Sequence, residues 1–408
     1  MASAPRILLI LFEGLPGTVI ESQVLVHARE MARLGIGAFE IWTVAWSGVL
    51  YRRSIAAQPR AAALAGCTVR VIRGVRPAAP LSTLFNALIL SAALLRHRPH
   101  FDILHARTDY AAVVGGLLKR MRRFVLVWDC RGDSAAEFAE RYRPQGLLRR
   151  TARAVRLWLL KRDRRRAAKA CDRAIFVTGA LQALAAPDIG DKPRCIIPGP
   201  ASEALFHFDE ALRSRSRSDL GFGPEARVYI FSGSLADYQR FEESVALFAE
   251  IRAQDARARL LIVTPALEEA RRRLVCHPGA GEAVLRSATI AEMNGYLNAA
   301  DAAFMLRAAT ATNRAAFPTK FAEYCLAGLA VVMTAAVPDA YAVAQRLGNL
   351  IPPPADGSAV WPERYDRRRV AQEARASLTR TSVAPLYAEI YRPAAYYNGR
   401  HVATGLRS

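Results

Sequence analysis

Short, continuous apolar runs alternate along this chain with longer stretches that mix apolar and charged positions at helical spacing. In the first half, RILLILF predicts a buried strand and ESQVLVHAREMARLG a helix stopped at Gly35. AFEIWTVAW, FDILHA, RFVLVWD, RAIFVT and RCIIPG read as further strands, with DYAAVVGGLLKRM and ALQALAA as helices among them. Strands this apolar, alternating with helices, predict a parallel sheet covered on both faces. Between Pro198 and Pro224 the chain mixes proline, glycine, serine and charge without periodicity, which reads as a linker. The pattern restarts with RVYIFSGS, FEESVALFAEIRA and ARLLIVT, and runs on through DAAFMLR and AVVMT. The expectation is an α/β chain of two doubly wound parallel-sheet domains facing a cleft. The first spans residues 1–200, a linker 201–225, the second domain 226–385, and a helix or tail at 386–408 packs back on the first domain.

The length of 408 residues suits two such domains. Cys67, Cys130, Cys171, Cys195, Cys276 and Cys325 are scattered with no CxxC pair, which fits reduced thiols in a cytoplasm and neither disulfides nor a zinc site. The opening MASAPRILLILFEG has too short an apolar run for a secretory signal. LSTLFNALILSAALL, Leu81 to Leu95, is interrupted by Ser82, Thr83 and Asn86 and falls short of the ~20 residues of a spanning helix. It reads either as a buried or groove-lining helix or as one that dips into a membrane surface.

Charge changes the picture more. The net charge is +21, and between Arg141 and Lys169 stand twelve lysines and arginines against one acid, Asp163. LLRRTARAVRLWLLKRDRRRAAKA reads as one long helix in which Val155, Leu157, Trp158, Leu159 and Leu160 form an apolar patch among arginines. Such a helix suits an anionic membrane surface; the plainer reading is a solvated helix with its Trp158 side on the core. Nucleic acid is disfavoured, because aromatics are not interleaved with the cations as a stacking platform needs.

Three strand ends carry candidate chemistry, since ligands of open parallel sheets bind outside the carboxyl ends of strands. In FPTKFAEYCLAGLAVVMT, Pro318 suits a first helical turn, leaving the amides of Thr319 and Lys320 at a helix end that favours a phosphate. Glu323 lies one turn deeper on the same face, where it either accepts bonds from a ribose diol or is a solvent charge on an ordinary capped amphipathic helix. FSGSLADYQRFEE places Gly233 and Ser234 in a close-approach turn, with Gln239 and Arg240 beyond it. In the first half, LFEGLPGTVIES sets Gly14 and Gly17 after the first strand but is not GxGxxG. VLVWDCRGD ends a strand with Asp129, Arg131 and Asp133, charges that are either paired or used. His105, at the end of FDILHA, is either a core hydrogen-bonding residue or a catalyst. No DxD metal motif, HExxH, P-loop or GxSxG occurs.

Together GSLADYQRFEESVALFAEI, LLIVT, TIAEMNGYLNAADAAFMLR and NRAAFPTKFAEYCLAGLAVV resemble the second domain of GT-B glycosyltransferases. The likeness is to the large group 1 family of retaining enzymes and its bacterial surface-polysaccharide members. KACDRAIFVTGALQALAA and PRCIIPGPASEALF resemble the stretch leading to the family's linker. The resemblance implies two Rossmann-like domains, a nucleoside-diphosphate sugar on the second and an acceptor on the first, with no cofactor and no metal. By position, Glu323 would hold the nucleotide ribose. Gln239 and Arg240 stand where relatives have a Lys-Gly pair on the diphosphate, and Lys320 belongs to a PTK variant of the loop before that helix. Gly17 would approach the donor phosphates, and Asp129 falls near the position where many relatives carry a histidine beside the reacting sugar. The first glutamate of the E-x7-E motif is replaced by Ala315, the proline of GxPV by Ala330, and the lysine of the phosphate pair by Gln239. Asn313 and Arg314 would then contact the sugar.

The function expected is metal-independent, retaining transfer of a hexosyl group to a lipid-linked saccharide in polysaccharide biosynthesis, at the inner face of the cytoplasmic membrane. Arg141–Lys169 would touch the membrane, and Asp129, Arg131 and His105 would serve catalysis. An epimerase or phosphorylase of the same fold, or a catalytically silent assembly partner, are the alternatives.

Overall fold

The computed structural model describes residues 4–77, 79–353 and 365–392. Its contacts divide into two compact units, Met1–Pro198 with Val383–Ser408, and Gly199–Ser382.

The first unit is built on seven parallel strands: β1 (Arg6–Leu11), β2 (Ala38–Ala45), β3 (Thr68–Arg73), β4 (Ile103–Arg107), β5 (Val125–Cys130), β6 (Arg173–Phe176) and β7 (Arg194–Ile196). Their order is β3-β2-β1-β4-β5-β6-β7. The order reverses between β1 and β4; β1 is apolar throughout its buried length, whereas β4 buries His105 and Arg107 among its apolar residues. Right-handed crossovers put the helices Ser82–His97, Asp109–Leu118 and Leu147–Ala170 together on one face. The opposite face holds a core of Ile7, Leu9, Leu11, Val24, Ile41 and Val127, closed by Val383, Tyr387, Ile390 and Tyr391. These last residues belong to the helix Arg380–Ile390 and its end, which Arg173 secures by donating to the Ile390 carbonyl at 2.6 Å. Of the expected tail, residues 393–408 lie outside the described residues.

The second unit carries β8 (Arg227–Ser232), β9 (Ala258–Val263), β10 (Ala283–Arg286), β11 (Ala302–Met305), β12 (Ala330–Met333) and β13 (Leu350–Ile351), in the order β10-β9-β8-β11-β12-β13. All are parallel, and the switch point lies between β8 and β11. The expected α/β class with two doubly wound parallel sheets is therefore what the chain forms.

Three local expectations change. The segment 201–225 carries a helix, Glu210–Asp219, that belongs to the second unit. Its sequence lacks an apolar stripe; it is held instead by Arg217, whose guanidinium reaches Asp301 at 3.2 Å, and by Arg213 on the same carboxylate. Pro318 caps the helix Thr319–Leu326 from outside, in an extended conformation, so Thr319 is the first helical residue. Trp158 faces outward on the basic helix rather than packing on the core, with Arg162 over its ring at 4.8 Å. The inward anchor is Arg164, paired with Asp133 and Asp109.

The helix Thr319–Leu326 ends at Gly328, whose φ of +69° is left-handed and whose added Cβ would stand 2.3 Å from the Arg367 carbonyl oxygen. Gly221 is also left-handed, at +74°, but opens onto free space. Gly328→Ala is expected to cost ~2–4 kcal/mol and Gly221→Ala only ~1 kcal/mol, read as urea-unfolding midpoints of the full chain. Equal losses would mean that backbone strain alone, and not contact with Arg367, requires glycine at 328.

Candidate functional site

In the second unit the carboxyl ends of β8 and β11 meet the start of the helix Thr319–Leu326. Lys320, half-buried, donates from Nζ to the Ser232 carbonyl at 2.7 Å and to Gln239 Oε1 at 3.0 Å. Arg307, buried just beyond β11, donates from Nη2 to the same Gln239 oxygen at 2.9 Å. Thr334 fixes the Arg307 backbone, accepting from its amide at 3.2 Å and donating to its carbonyl at 2.7 Å. Among the described residues neither cation has a carboxylate within ion-pair distance. Burial, and then the Arg307 guanidinium, depress the Lys320 ammonium to about 7, with Glu323 pulling weakly the other way. Burial likewise lowers Arg307. Two cations that share one neutral acceptor, with no carboxylate in ion-pair distance among the described residues, have the chemistry that suits an anion.

The turn that covers them has the required shape. Gly233, at φ +120°, would put a Cβ 2.6 Å from the Lys320 ammonium, so any side chain there would displace it. Ser234 is exposed in the same turn. Tyr324, fully buried, ties the helix to β8 through a 2.7 Å hydroxyl contact with Ser232. Glu323 stands one turn inside, its carboxyl raised to about 7 by burial against the pull of Lys320 and Arg380.

The first unit gathers a different cluster at its own switch point. Arg107 ends β4 and reaches Glu13 beyond β1 at 2.8 Å and Gln23 Oε1 at 3.0 Å. Arg131, after β5, donates to the same Gln23 oxygen at 3.1 Å and lies 3.6 Å from Asp129 Oδ1. Gln23 sits in a widened π-helical turn, Glu21–Val26, a feature that re-aims side chains at sites. Burial alone would raise Asp129, but Arg131, His105 and Arg107 outweigh it and hold the carboxyl well below its usual range. Gly17, at φ +131°, opens on free space at the start of the helical turn beyond β1.

No protein-family model and no curated protein matches the chain. Solved structures match it over nearly their whole length at low identity. Anabaena HepE, in complex with UDP and glucose, gives a TM-score of 0.65 at 14% identity, covering 94% of this chain and 98% of that one. Sucrose-phosphate synthase from Thermosynechococcus elongatus gives 0.65 at 14%, covering 95% and 98%. WaaG, a glycosyltransferase involved in lipopolysaccharide biosynthesis, gives 0.56 at 16%, covering 95% and 94%. The fold is GT-B.

Within this GT-B chain the expected site residues divide. Gly233, Gln239, Lys320 and Glu323 come together around the cation pair, while the Thr319 hydroxyl lies against Gly199. Arg240 does not join them: it pairs with Glu243 at 3.0 Å on its own helix. Its backbone is left-handed at φ +51°, the conformation that the glycine of a Lys-Gly pair would supply. Asn313 is buried and donates to the Ala308 carbonyl at 2.8 Å, while Arg314 is exposed and Ala315 buried. His105 lies inside β4, not at its end. Both its ring nitrogens are engaged, one with the Tyr391 hydroxyl at 2.8 Å and one with Asp129 at 3.3 Å. The strand runs on to Arg107, which therefore occupies the end position. Arg307, Arg107, Glu13 and Gln23 were not singled out from sequence; the two arginines closing the apolar runs DAAFMLR and FDILHAR were the available signal.

Inorganic pyrophosphate at pH 7 is expected to raise the thermal midpoint of the protein. Lys320→Gln and Arg307→Gln should each weaken that binding by about 10- to 100-fold, the worth of one charge-assisted hydrogen bond. Arg240→Gln should change it less than about threefold. The reverse ranking, measured by calorimetric titration, would move the anion site to Arg240.

Proposed function

We propose that this chain is a glycosyltransferase that moves a hexosyl group from a nucleoside-diphosphate sugar to a lipid-linked saccharide in polysaccharide biosynthesis. The observation that carries the reading is the Lys320–Arg307 pair converging on Gln239 with no carboxylate partner. In glycosyl transfer the main electrostatic demand is negative charge on the departing diphosphate, and fixed cations in a partly dry site meet it. Lys320 and Arg307 would hold that charge without a metal ion, and Glu323 would accept from the ribose hydroxyls one turn deeper. HepE has been solved with UDP-glucose, which supports a nucleotide sugar as the donor class.

In the first unit, Arg131 and Asp129 are the proposed groups beside the reacting sugar, and His105 is a positioning residue that holds Asp129. Gly17 leaves backbone room for the donor phosphates. Retention follows the group 1 likeness in the second-domain motifs. The basic Arg141–Lys169 region would keep the enzyme on the inner face of the cytoplasmic membrane, near a lipid-linked acceptor. Ala315, in place of an acid, permits one other reading: a catalytically silent polysaccharide-assembly partner, which would bind no nucleoside diphosphate.

Glu323→Gln is expected to weaken a nucleoside-diphosphate sugar about tenfold and to leave inorganic pyrophosphate binding unchanged. Because Lys320 is depressed to about 7 in the free protein, binding above pH 7 must take up its proton. Affinity for the sugar nucleotide should therefore fall by up to about tenfold per pH unit above 7, and below 7 protonation of Glu323 should weaken its hold on the ribose. The slope should persist in Glu323→Gln and vanish in Lys320→Arg, whose guanidinium stays charged. A pH-independent affinity in the wild type would remove Lys320 from the diphosphate.

A further inference from the structure

We infer that the helix Ser82–His97 is a lipid-facing element that seats the first unit on an anionic membrane. The helix is apolar on its outward face as well as on its inward one. Its buried face carries Ser82, Asn86, Ala87, Leu90, Ser91 and Leu94. Asn86 accepts from the Val75 amide at 2.8 Å and donates to the Val75 carbonyl at 2.9 Å and to the Tyr110 hydroxyl at 2.8 Å. Ser82 and Ser91 donate to the carbonyls of Pro77 and Ala87. The outward face carries the large apolar groups: Leu84 is 50% exposed, Phe85 47%, Leu88 55% and Leu95 74%, with Leu81 at 68% just before the helix. Positions 81, 84, 85, 88 and 95 fall on one stripe along a helix ~24 Å long. An amphipathic helix on a water-facing surface turns its leucines inward and its serines outward. A stripe of this size facing out marks an interaction surface.

Charge selects lipid as the occupant. From Gly74 to His100 the chain has no acidic residue, and Arg76, Arg96 and Arg98 bracket the stripe. Arg76 stacks over the partly exposed Trp46 at 5.2 Å, a cation and indole of the kind that settle at headgroup depth. The basic helix lies in the same layer: Asn86 touches Tyr110, and Arg156 lies close enough to Arg76 and Tyr110 for their charges to interact. Leu147, Leu148, Val155 and Trp158 are likewise exposed on that helix. No helix among the described residues is long and apolar enough to cross a membrane. A helix lying flat, leucines down and arginines at its ends, is the interfacial arrangement these residues fit.

This inference rests on the membrane part of the reading above and not on the donor site. The full chain is co-sedimented with vesicles of one part phosphatidylglycerol to two parts phosphatidylcholine, at low and high salt. The wild type should bind and retain part of its binding at high salt, because apolar insertion is not screened. Leu84→Ser/Leu88→Ser should lower partitioning by at least about tenfold at both salts. Both side chains are half-exposed, so the exchange opens no core, and an unchanged circular dichroism spectrum and urea-unfolding midpoint verify the fold. Vesicle binding equal to wild type in the double variant overturns the inference. So does a wild-type dimer in sedimentation velocity that the double variant dissociates, since the stripe would then face a second copy. Absence of binding by the wild type overturns both this inference and the membrane part of the reading, and leaves the donor site standing.

Discussion

Two cations on one amide oxygen organise the second unit's site. Lys320 and Arg307 approach Gln239 Oε1 from different elements, the start of a helix and the end of a strand. Each is partly withdrawn from water, each repels the other, and a neutral acceptor returns only part of what solvent supplied. The arrangement persists because its supports are rigid: β8 through Ser232 and Tyr324, β12 through Thr334, and a glycine at 233 that leaves the ammonium its space. A site held this way gains most when an anion arrives, which is the property a diphosphate-leaving reaction needs.

The first unit repeats the device with a different charge balance. There Gln23 Oε1 receives Arg107 and Arg131, again from the ends of neighbouring strands next to the switch point. Glu13 and Asp129 neutralise those arginines, so the cluster is a polar, near-neutral surface rather than an anion trap. The same sheet topology thus presents a charged cluster in one unit and a compensated one in the other.

The strand-helix rhythm was legible because continuous apolar runs leave little choice but a doubly covered parallel sheet. Elements held by charge were not. Glu210–Asp219 depends on Arg213 and Arg217 reaching Asp301, some eighty residues away, which no local pattern reveals. The Gly48–Ala65 helix carries Pro59 inside it and few large apolar groups, so periodicity did not mark it. In the site, Lys320 and Glu323 could be read from helix geometry alone. Arg307 could not, because its role comes from meeting Gln239 across the sheet. Arg240, expected beside Gln239, pairs in the structure with Glu243 three residues on, a local contact that the turn sequence does not by itself reveal.

The central claim is that the Lys320–Arg307 pair is the diphosphate site. The most direct measurement is a crystal structure of the protein with a bound nucleoside diphosphate. The account predicts a phosphate oxygen within hydrogen-bond distance of both Lys320 Nζ and the Arg307 guanidinium, over the Gly233 turn, with the ribose hydroxyls on Glu323. A diphosphate bound at Arg240, or at the Arg107–Arg131 cluster with Lys320 still donating only to Ser232 and Gln239, would contradict it.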